Sequence, residues 1–225
     1  MSVTKARRSS KAEDVYRDIK ESILSGVLEP GGAIDKLALC ERLGVSRFPV
    51  SSAISRLAYE RLVTIEPQHG SFVAKISVDD VRERLMVRRA LESEVAAQAA
   101  ARMPAAGVEA LERNLRSQQA VVESGDIAGF YALDVEFHRL LPSLLALDHC
   151  AEILDGLRSH LERVRRLLLS PPGRLPMTLL EHGAILEAVS RGDGEGARAA
   201  MHHHLQQTTN LFESFAKQHS NLFSR

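Results

Sequence analysis

Residues 37–73 constrain the fold most, because two short helical patterns, a tight turn and an alternating ribbon follow one another there. The first apolar-periodic segment ends at Leu43, and Gly44 behind it is a helix stop signal. Ser46 can cap the next helix by accepting a backbone N–H, and Pro49 lies in that helix's first turn, where its missing N–H costs little. Two short helices joined by a turn of about four residues predict a helix-turn-helix.

A two-stranded ribbon is expected directly after the second helix. Residues 62–65 and 71–74 have strand patterns, and residues 67–70 between them form a turn. A ribbon in this position is a wing. The whole segment resembles the winged helix-turn-helix of the GntR family of transcription regulators. The residues that carry the resemblance are Leu43, Gly44, Val45, Ser46, Arg47, Pro49, Val50, Ala53, Leu57, Gln68, His69 and Gly70.

The resemblance implies that the first turn of the second helix contacts DNA. Ser46 can offer a hydroxyl and nearby backbone N–H groups to a phosphate, and Arg47 can reach the O6 and N7 atoms of a guanine. Arg56, further along, is interpreted as a phosphate contact or a surface charge. Many relatives carry Arg-Glu where this chain has Ser51 and Ser52, so we expect a different base specificity here.

The wing tip is the second expected DNA contact. His69 and Gly70 form it, and in the family this tip reaches the minor groove. Residues 1–77 hold 12 Lys and Arg against 9 Asp and Glu, whereas the remainder holds 17 against 20. A mildly basic N-terminal segment and a mildly acidic remainder fit a DNA-binding domain followed by a second domain with a different function.

Composition limits the class of protein further. The chain has 225 residues, of which 44% are hydrophobic, and this suits one or two globular domains. Cys40 and Cys150 are too few for a disulfide framework, and no apolar run reaches the ~18 residues of a membrane span. We therefore expect a cytoplasmic protein that does not enter a membrane.

The domain organisation follows from the breaks between helical patterns. Residues 1–11 are interpreted as a flexible basic arm, 12–76 as the winged helix-turn-helix, and 77–222 as a second, all-helical domain. Helices are expected at about 80–103, 105–123, 126–147, 149–169, 175–191 and 193–219. The predicted fold class is mostly α, with the winged domain followed by a six-helix antiparallel α-bundle.

Four polar side chains are predicted on apolar helix faces of the bundle. Asp134 and His138 share a face one turn apart, His182 lies among leucines, and only His204 of three consecutive histidines lies beside Met201 and Leu205. Burying such groups is costly unless they are paired or bind a metal. Neutral imidazole and carboxylate suit a divalent transition metal, and a hydrogen-bonded polar core is the alternative.

This second domain resembles the FCD domain, the effector-binding half of the FadR subfamily of GntR regulators. Residues 134–138 match its Asp-x-x-x-His pair, and Glu181-His182 and Met201-x-x-His204 match its two other ligand helices. Six helices indicate the VanR-like branch. The resemblance implies one divalent metal per chain, with zinc favoured over nickel, manganese or iron.

Arg88 is the candidate effector-binding residue. Relatives carry an arginine at the matching position, where it often helps to hold an acidic effector. Arg88 and Glu92 are also spaced to form an ordinary helix pair, and both interpretations are kept open.

These features favour a homodimeric transcription regulator, by analogy a repressor, that binds a palindromic operator in double-stranded DNA. A small carboxylate effector at the metal would control operator affinity. A metal-dependent enzyme acting on a small acid is one rival, since such a site can activate water. A regulator with a purely structural metal is the other.

Overall fold

The computed structural model describes residues 11–169 and 173–224. The chain divides into two compact units, residues 1–77 with 220–225 and residues 78–219. The expected basic arm lies outside the described residues except for Lys11, and residues 170–172 of the expected break also lie outside them. Among the described helices, none is long and apolar enough to cross a membrane.

The first unit is a small helical core with a ribbon. Its apolar centre includes Ile19 and Ile23 from the first helix and Val50, Ile54 and Leu57 from the third, all almost fully buried. The described elements are α1 (Lys11–Leu24), α2 (Lys36–Leu43), α3 (Arg47–Tyr59), β1 (Val63–Glu66) and β2 (Gly70–Val73).

The turn between α2 and α3 explains the local geometry of the helix-turn-helix. The Asp35 side chain accepts hydrogen bonds from the backbone N–H groups of Leu37 (2.8 Å) and Ala38 (3.0 Å) and so caps α2. Gly44 ends α2 in the left-handed conformation, with φ of 61°. The helix-turn-helix expected from the sequence is therefore present.

One detail of that turn differs from the expectation. Ser46 occupies the N-cap position of α3, but its side chain makes no capping hydrogen bond. The predicted cap is wrong: the third helical residue, Pro49, has no N–H to donate, and the Ser46 side chain does not accept from the N–H of Phe48 either.

The wing is an antiparallel pair with a tight turn. β1 and β2 pair from Val63 with Val73 to Glu66 with Gly70. Gln68 has a φ of 65° and Gly70 a φ of 127°, and the second conformation is one that a side chain rarely adopts. Ala33, ahead of α2, forms an isolated bridge to Phe72 and adds a third, short backbone segment to this ribbon.

A second two-stranded pairing joins distant parts of the sequence. β3 (Ile76–Ser77) pairs in parallel with β4 (Phe223–Ser224), and Ile76 and Phe223 are both buried. Residues 220–222, which the sequence places at the end of the second domain, group with the first unit.

The second unit is all-helical in its described residues, as expected. In its first and last helices the pairs Arg82–Glu213, Arg89–Gln206 and Glu94–Arg198 show that these two helices run antiparallel. The six helices are α4 (Val78–Arg102), α5 (Ala105–Ser124), α6 (Ile127–Leu144), α7 (Asp148–Leu169), α8 (Arg174–Ser190) and α9 (Gly194–Gln218).

The α6 helix ends three residues earlier than its apolar pattern suggests. Ala146 adopts a φ of 53°, and the N–H of Leu147 reaches back to the carbonyl of Pro142 at 2.9 Å. This closing bond is typical of helix C-termini, although glycine is the residue usually found in such a conformation. Without glycine, the sequence carried no stop signal there.

Candidate metal centre and nucleic-acid interface

Four buried side chains from three helices meet inside the second unit. Asp134 and His138 come from α6, His182 from α8 and His204 from α9, and each offers one ligand atom within 4.8 Å of the others. All four are at most 4% exposed, whereas His202 and His203 of α9 are exposed. The helix faces predicted from the sequence thus bring these four residues together.

A different side chain holds the Nδ1 atom of each histidine. His138 Nδ1 lies 2.5 Å from Glu92 of α4, and His204 Nδ1 lies 2.6 Å from Glu181 of α8. His182 Nδ1 lies 2.9 Å from Gln118 Oε1 of α5. Partners of this kind orient the ring of a metal-binding histidine and fix its tautomer.

The charge states of the two glutamates decide where the protons lie. Burial raises the pKa of Glu92, but the charge of Arg88 and the hydrogen bond from His138 hold that pKa well below its usual range. Burial also raises the pKa of Glu181, and hydrogen bonds from His204 and Arg174 bring it below the ordinary value. Ionised carboxylates only accept hydrogen bonds, so His138 and His204 must each carry a proton on Nδ1.

The amide network around Gln118 leads to the same tautomer for His182. Asn114 Nδ2 donates to the carbonyl of Leu133 and to Glu136, both at 3.1 Å, so its Oδ1 is free to accept from Gln118 Nε2 at 2.7 Å. Gln118 Oε1 therefore accepts from His182 Nδ1. The Nε2 atoms of all three histidines then face the same small space.

The four ligand atoms lie close together. The Nε2 atoms of His138 and His204 lie 3.2 Å apart, and His182 Nε2 lies 3.5 Å from Asp134 Oδ1. Two ligands about 2.05 Å from a tetrahedral zinc ion would lie roughly 3.3 Å apart. His182 Nε2 is buried without a hydrogen-bond partner in the described structure. The donor set and this orphaned nitrogen fit a divalent metal.

The pKa values of the histidines favour the same chemistry. Burial lowers the pKa of His138 to about 4, and burial also lowers the pKa of His182 well below its ordinary value. Both rings are therefore neutral at pH 7, as a metal ligand must be. Burial raises the pKa of Asp134, but the positive charge of Arg165 brings it below its ordinary value, so the carboxylate is ionised.

Of the two interpretations that the sequence left open for Arg88, the helix pair is observed, and effector binding stays a prediction. Its Nε donates to Glu92 Oε1 at 2.5 Å, so the helix pair is present. Arg88 also lines the cavity beside Asp134, His138 and His204, where an effector would lie. Since Glu92 also contacts His138, one carboxylate connects the arginine to the ring of a candidate ligand.

Sequence reasoning missed two further arginines in this cavity. Arg165 of α7 and Arg174 at the start of α8 both line it. Arg165 donates to Asp134, and Arg174 donates twice to Glu181 at 2.9 and 3.0 Å. Arg165 could have been found, because it lies in phase with Leu161 and Leu168 on the buried face of α7.

The candidate DNA contacts of α3 lie on its exposed side. Arg47, Ser51 and Ser52 are exposed, and so is Ser46, whose hydroxyl is not used as a cap. Phe48 is 81% exposed in the same first turn, so its ring contributes little to the core. At the wing tip, His69 and Gly70 are exposed as well.

Arg56 lies among side chains of α1 rather than standing alone. Its Nη1 donates to Glu13 at 2.8 Å, its guanidinium lies 3.6 Å from the Tyr16 ring centroid, and Glu60 is 3.4 Å away. Tyr16 and Lys20 also donate to Glu60, at 2.7 and 2.8 Å. We call these five residues the α1–α3 clasp. The phosphate contact predicted for Arg56 stays a prediction.

Comparison with known proteins identifies the class that this architecture defines, a winged helix-turn-helix joined to an all-helical domain. The family model described as "Bacterial regulatory proteins, gntR family" matches residues 11–73, and the FCD domain model matches residues 83–207. The chain belongs to the GntR family of bacterial transcription regulators and carries an FCD domain as its second part.

The individual proteins that resemble this chain support the family assignment. The HTH-type transcriptional repressor RspR of Escherichia coli strain K12 is 32% identical over 94% of this chain and 93% of its own. A probable D-xylose utilization operon transcriptional repressor of Paenarthrobacter nicotinovorans is 27% identical over 88% of this chain and 87% of its own. The family and these relatives are transcription regulators and not enzymes, which contradicts the enzymatic rival.

A solved structure shares the fold over nearly the whole length. E. coli McbR/YncC superposes with a TM-score of 0.72 at 22% identity, covering 92% of this chain and 98% of that chain. At this identity the likeness concerns the fold alone. It agrees with the mostly helical architecture predicted from the sequence.

Proposed function

We propose that this GntR-family regulator is a homodimeric repressor whose operator affinity depends on a small carboxylate effector bound at a divalent metal. Asp134, His138, His182 and His204 would hold the metal, with zinc favoured over nickel, manganese or iron. Bound there, the metal would supply a positive charge to which a carboxylate can coordinate.

The observation that carries this proposal is the arrangement of the ring nitrogens. Every Nδ1 atom of the three histidines has its own acceptor, so the three Nε2 atoms and a carboxylate face one another in a buried space. Without a cation His182 Nε2 has no hydrogen-bond partner among the described residues, and the ionised Asp134 has no proton to give it. A polar core stabilised only by hydrogen bonds would place donors against acceptors instead.

In the first unit, some residues would bind the DNA backbone and others would recognise bases. Ser46 and the first backbone N–H groups of α3 would hold a phosphate, and Arg47 would read a guanine edge, with Ser51 and Ser52 beside it. The wing tip at His69 and Gly70 would reach the minor groove. Two such heads in a dimer would fit a palindromic operator.

The effector would be held by the same cavity that contains the four ligands. Arg88 lines this cavity, and its guanidinium can form a fork with a carboxylate. Glu92 links Arg88 to His138, so a ligand that moves the arginine would also disturb a metal-binding ring. Effector binding would in this way change α4 and α6 together and lower operator affinity.

The first experiment measures metal in the untagged protein purified without chelator, by elemental analysis. We expect about one transition metal per chain. His182→Ala combined with His204→Ala should lose it, whereas the matched control His202→Ala combined with His203→Ala should keep it, because these two rings are exposed. Equal loss in both double variants would contradict the assignment of the ligands.

The second half of the test separates effector control from a purely structural metal. Operator affinity is measured by fluorescence anisotropy with the metal-loaded protein, with and without a panel of small carboxylic acids. Weakened binding with at least one acid supports the proposal. Unchanged operator affinity with every acid, in protein that contains its metal, would leave the metal a structural role only.

A further inference from the structure

The cavity beside the candidate metal centre contains more positive charge than one carboxylate needs. It is partly open to solvent, and the empty space between its side chains is about 350 Å³ when the part open to solvent is included. Guanidinium groups from three helices line it, those of Arg88, Arg165 and Arg174. Only Arg88 was expected from the sequence, and Arg165 and Arg174 are additional.

Two of these guanidinium groups hold N–H donors that lack an acceptor. Arg88 Nη2 and Arg165 Nη1 are buried, and neither has a hydrogen-bond partner within the described residues. The side chains of Arg88 and Arg165 are only 1% and 6% exposed, so water does not readily replace a missing partner. A buried donor without an acceptor destabilises the fold, and a ligand that supplies the acceptor would remove this cost.

Arg174 has a different place in the site. Both of its terminal nitrogens donate to Glu181, which in turn holds His204. Its hydrogen bonds therefore orient a partner of the metal centre. Arg165 and Arg88 are the two residues with donors left for a ligand.

The charges around the cavity balance before a metal is added. The three arginines are matched by three carboxylates in direct contact with them, Glu92, Asp134 and Glu181. A divalent cation would add two positive charges to this buried set. A monoanionic ligand would leave one charge unmatched, whereas a dianion would match both, and unmatched buried charge is costly.

The contact between Arg165 and Asp134 connects metal binding to binding of the anionic ligand. Arg165 donates to Asp134 Oδ2, while Asp134 Oδ1 faces His138 and His182. A metal at Asp134 would draw on the same negative charge that holds Arg165. The guanidinium would then need another anionic partner.

We propose that the effector is a small dianion with two carboxylates, one directed at the metal and the other bound by Arg165 together with Arg88. This inference rests on the proposed function, since it names the ligand class of the same site. It adds Arg165 as a residue that distinguishes a diacid from a monoacid of the same carbon skeleton.

The test compares matched pairs of acids by isothermal titration calorimetry on the metal-loaded full chain. Malonate, succinate and L-tartrate are each compared with the acid that has a hydroxymethyl group in place of one carboxylate. These partners are 3-hydroxypropanoate, 4-hydroxybutanoate and L-threonate. We expect at least one diacid to bind at least about tenfold more tightly than its partner.

Variants of α7 show whether Arg165 causes that preference. Arg165→Gln should reduce the ratio of diacid to monoacid affinity below about threefold, and Arg165→Lys should keep part of it. Arg166→Gln is the matched control, because Arg166 pairs with Glu162 and does not line the cavity. Metal content is measured for each variant, so that loss of the metal is not mistaken for loss of the second contact.

Three outcomes would overturn the inference. The hydroxymethyl acids could bind as tightly as the diacids, no acid could bind below about 10 mM, or Arg165→Gln could leave the ratio unchanged while the metal is retained. A chain that takes up no metal contradicts the proposed function instead. The same titrations on that metal-free chain would then show whether the preference for diacids exists without it.

Discussion

Ser46 and Pro49 lie at the start of α3, where the Ser46 side chain leaves the helix uncapped. The hydroxyl of a serine at an N-cap position normally accepts a hydrogen bond from the second or third backbone N–H of the helix. Here the third residue is a proline, and the hydroxyl of Ser46 makes no such bond. It remains exposed beside Arg47 at the end of α3 that is proposed to meet DNA.

Arg47→Ala tests the proposed recognition at this residue. We expect operator affinity to fall about 10- to 100-fold, since a guanidinium fork on a guanine contributes about 1–3 kcal/mol of discrimination. Thermal stability should hardly change, because Arg47 is exposed. Fluorescence anisotropy at fixed salt, on an operator obtained by selection from random duplexes, measures the effect.

Arg113→Ala is the control for this prediction, because it removes the same charge from an exposed site on α5. It should leave operator affinity unchanged. If Arg47→Ala weakens binding equally on operator and on unrelated DNA, Arg47 contacts a phosphate and does not read a base.

At the scale of the element, the clasp between α1 and α3 makes the first unit sensitive to pH. Burial raises the pKa of Glu60, but hydrogen bonds from Lys20 and Tyr16 outweigh burial and hold that pKa below its ordinary value. A carboxylate with a lowered pKa in the folded state stabilises the fold at neutral pH. This contribution is lost as the pH falls through the folded-state pKa.

Glu60→Gln removes the charge and keeps the size of the side chain. We expect it to reduce the free energy of unfolding by about 1 kcal/mol at pH 7. The difference from the unaltered chain should shrink as the pH is lowered below about 4, where glutamate is protonated when unfolded. Urea unfolding across this pH range measures it, with the exposed Glu41→Gln of α2 as control. A difference that stays constant with pH would assign the effect to packing.

Most elements could be predicted because their signals are local. Periodic apolar residues indicated the helices of both units, and Gly44 marked the end of α2 through a conformation that glycine favours. The same periodicity placed His182 and His204 inside and left His202 and His203 outside. One face of a helix can be read from the sequence without knowing which partner covers it.

The contacts that could not be predicted join residues distant in sequence. Gln118 as the partner of His182 and Arg165 as the partner of Asp134 depend on how the helices pack. The pairing of β3 with β4 involves only two residues on each side, too few to produce a strand pattern. These features depend on tertiary packing, and local sequence propensities do not predict it.

For the whole molecule, linkage requires that the two proposed binding events affect each other equally. If an acid weakens operator binding by some factor, saturating operator must weaken binding of that acid by the same factor. Titrating the acid into the metal-loaded protein with and without operator should give equal ratios. Unequal ratios would mean that the acid also acts outside the proposed cavity, for instance by removing the metal.

The pairing of β3 with β4 has a consequence for the order in which the protein is completed during synthesis. The residues that pair with Ile76 and Ser77 are synthesised only after the entire helical unit between them. At about 5–20 residues per second, this delay is roughly 7–30 s. During that time the winged unit can form its helices and its ribbon, but Ile76 lacks its Phe223 partner. The unit that is translated first is therefore the last to complete its backbone pairing. A nascent chain interrupted within α9 has a winged unit without β4.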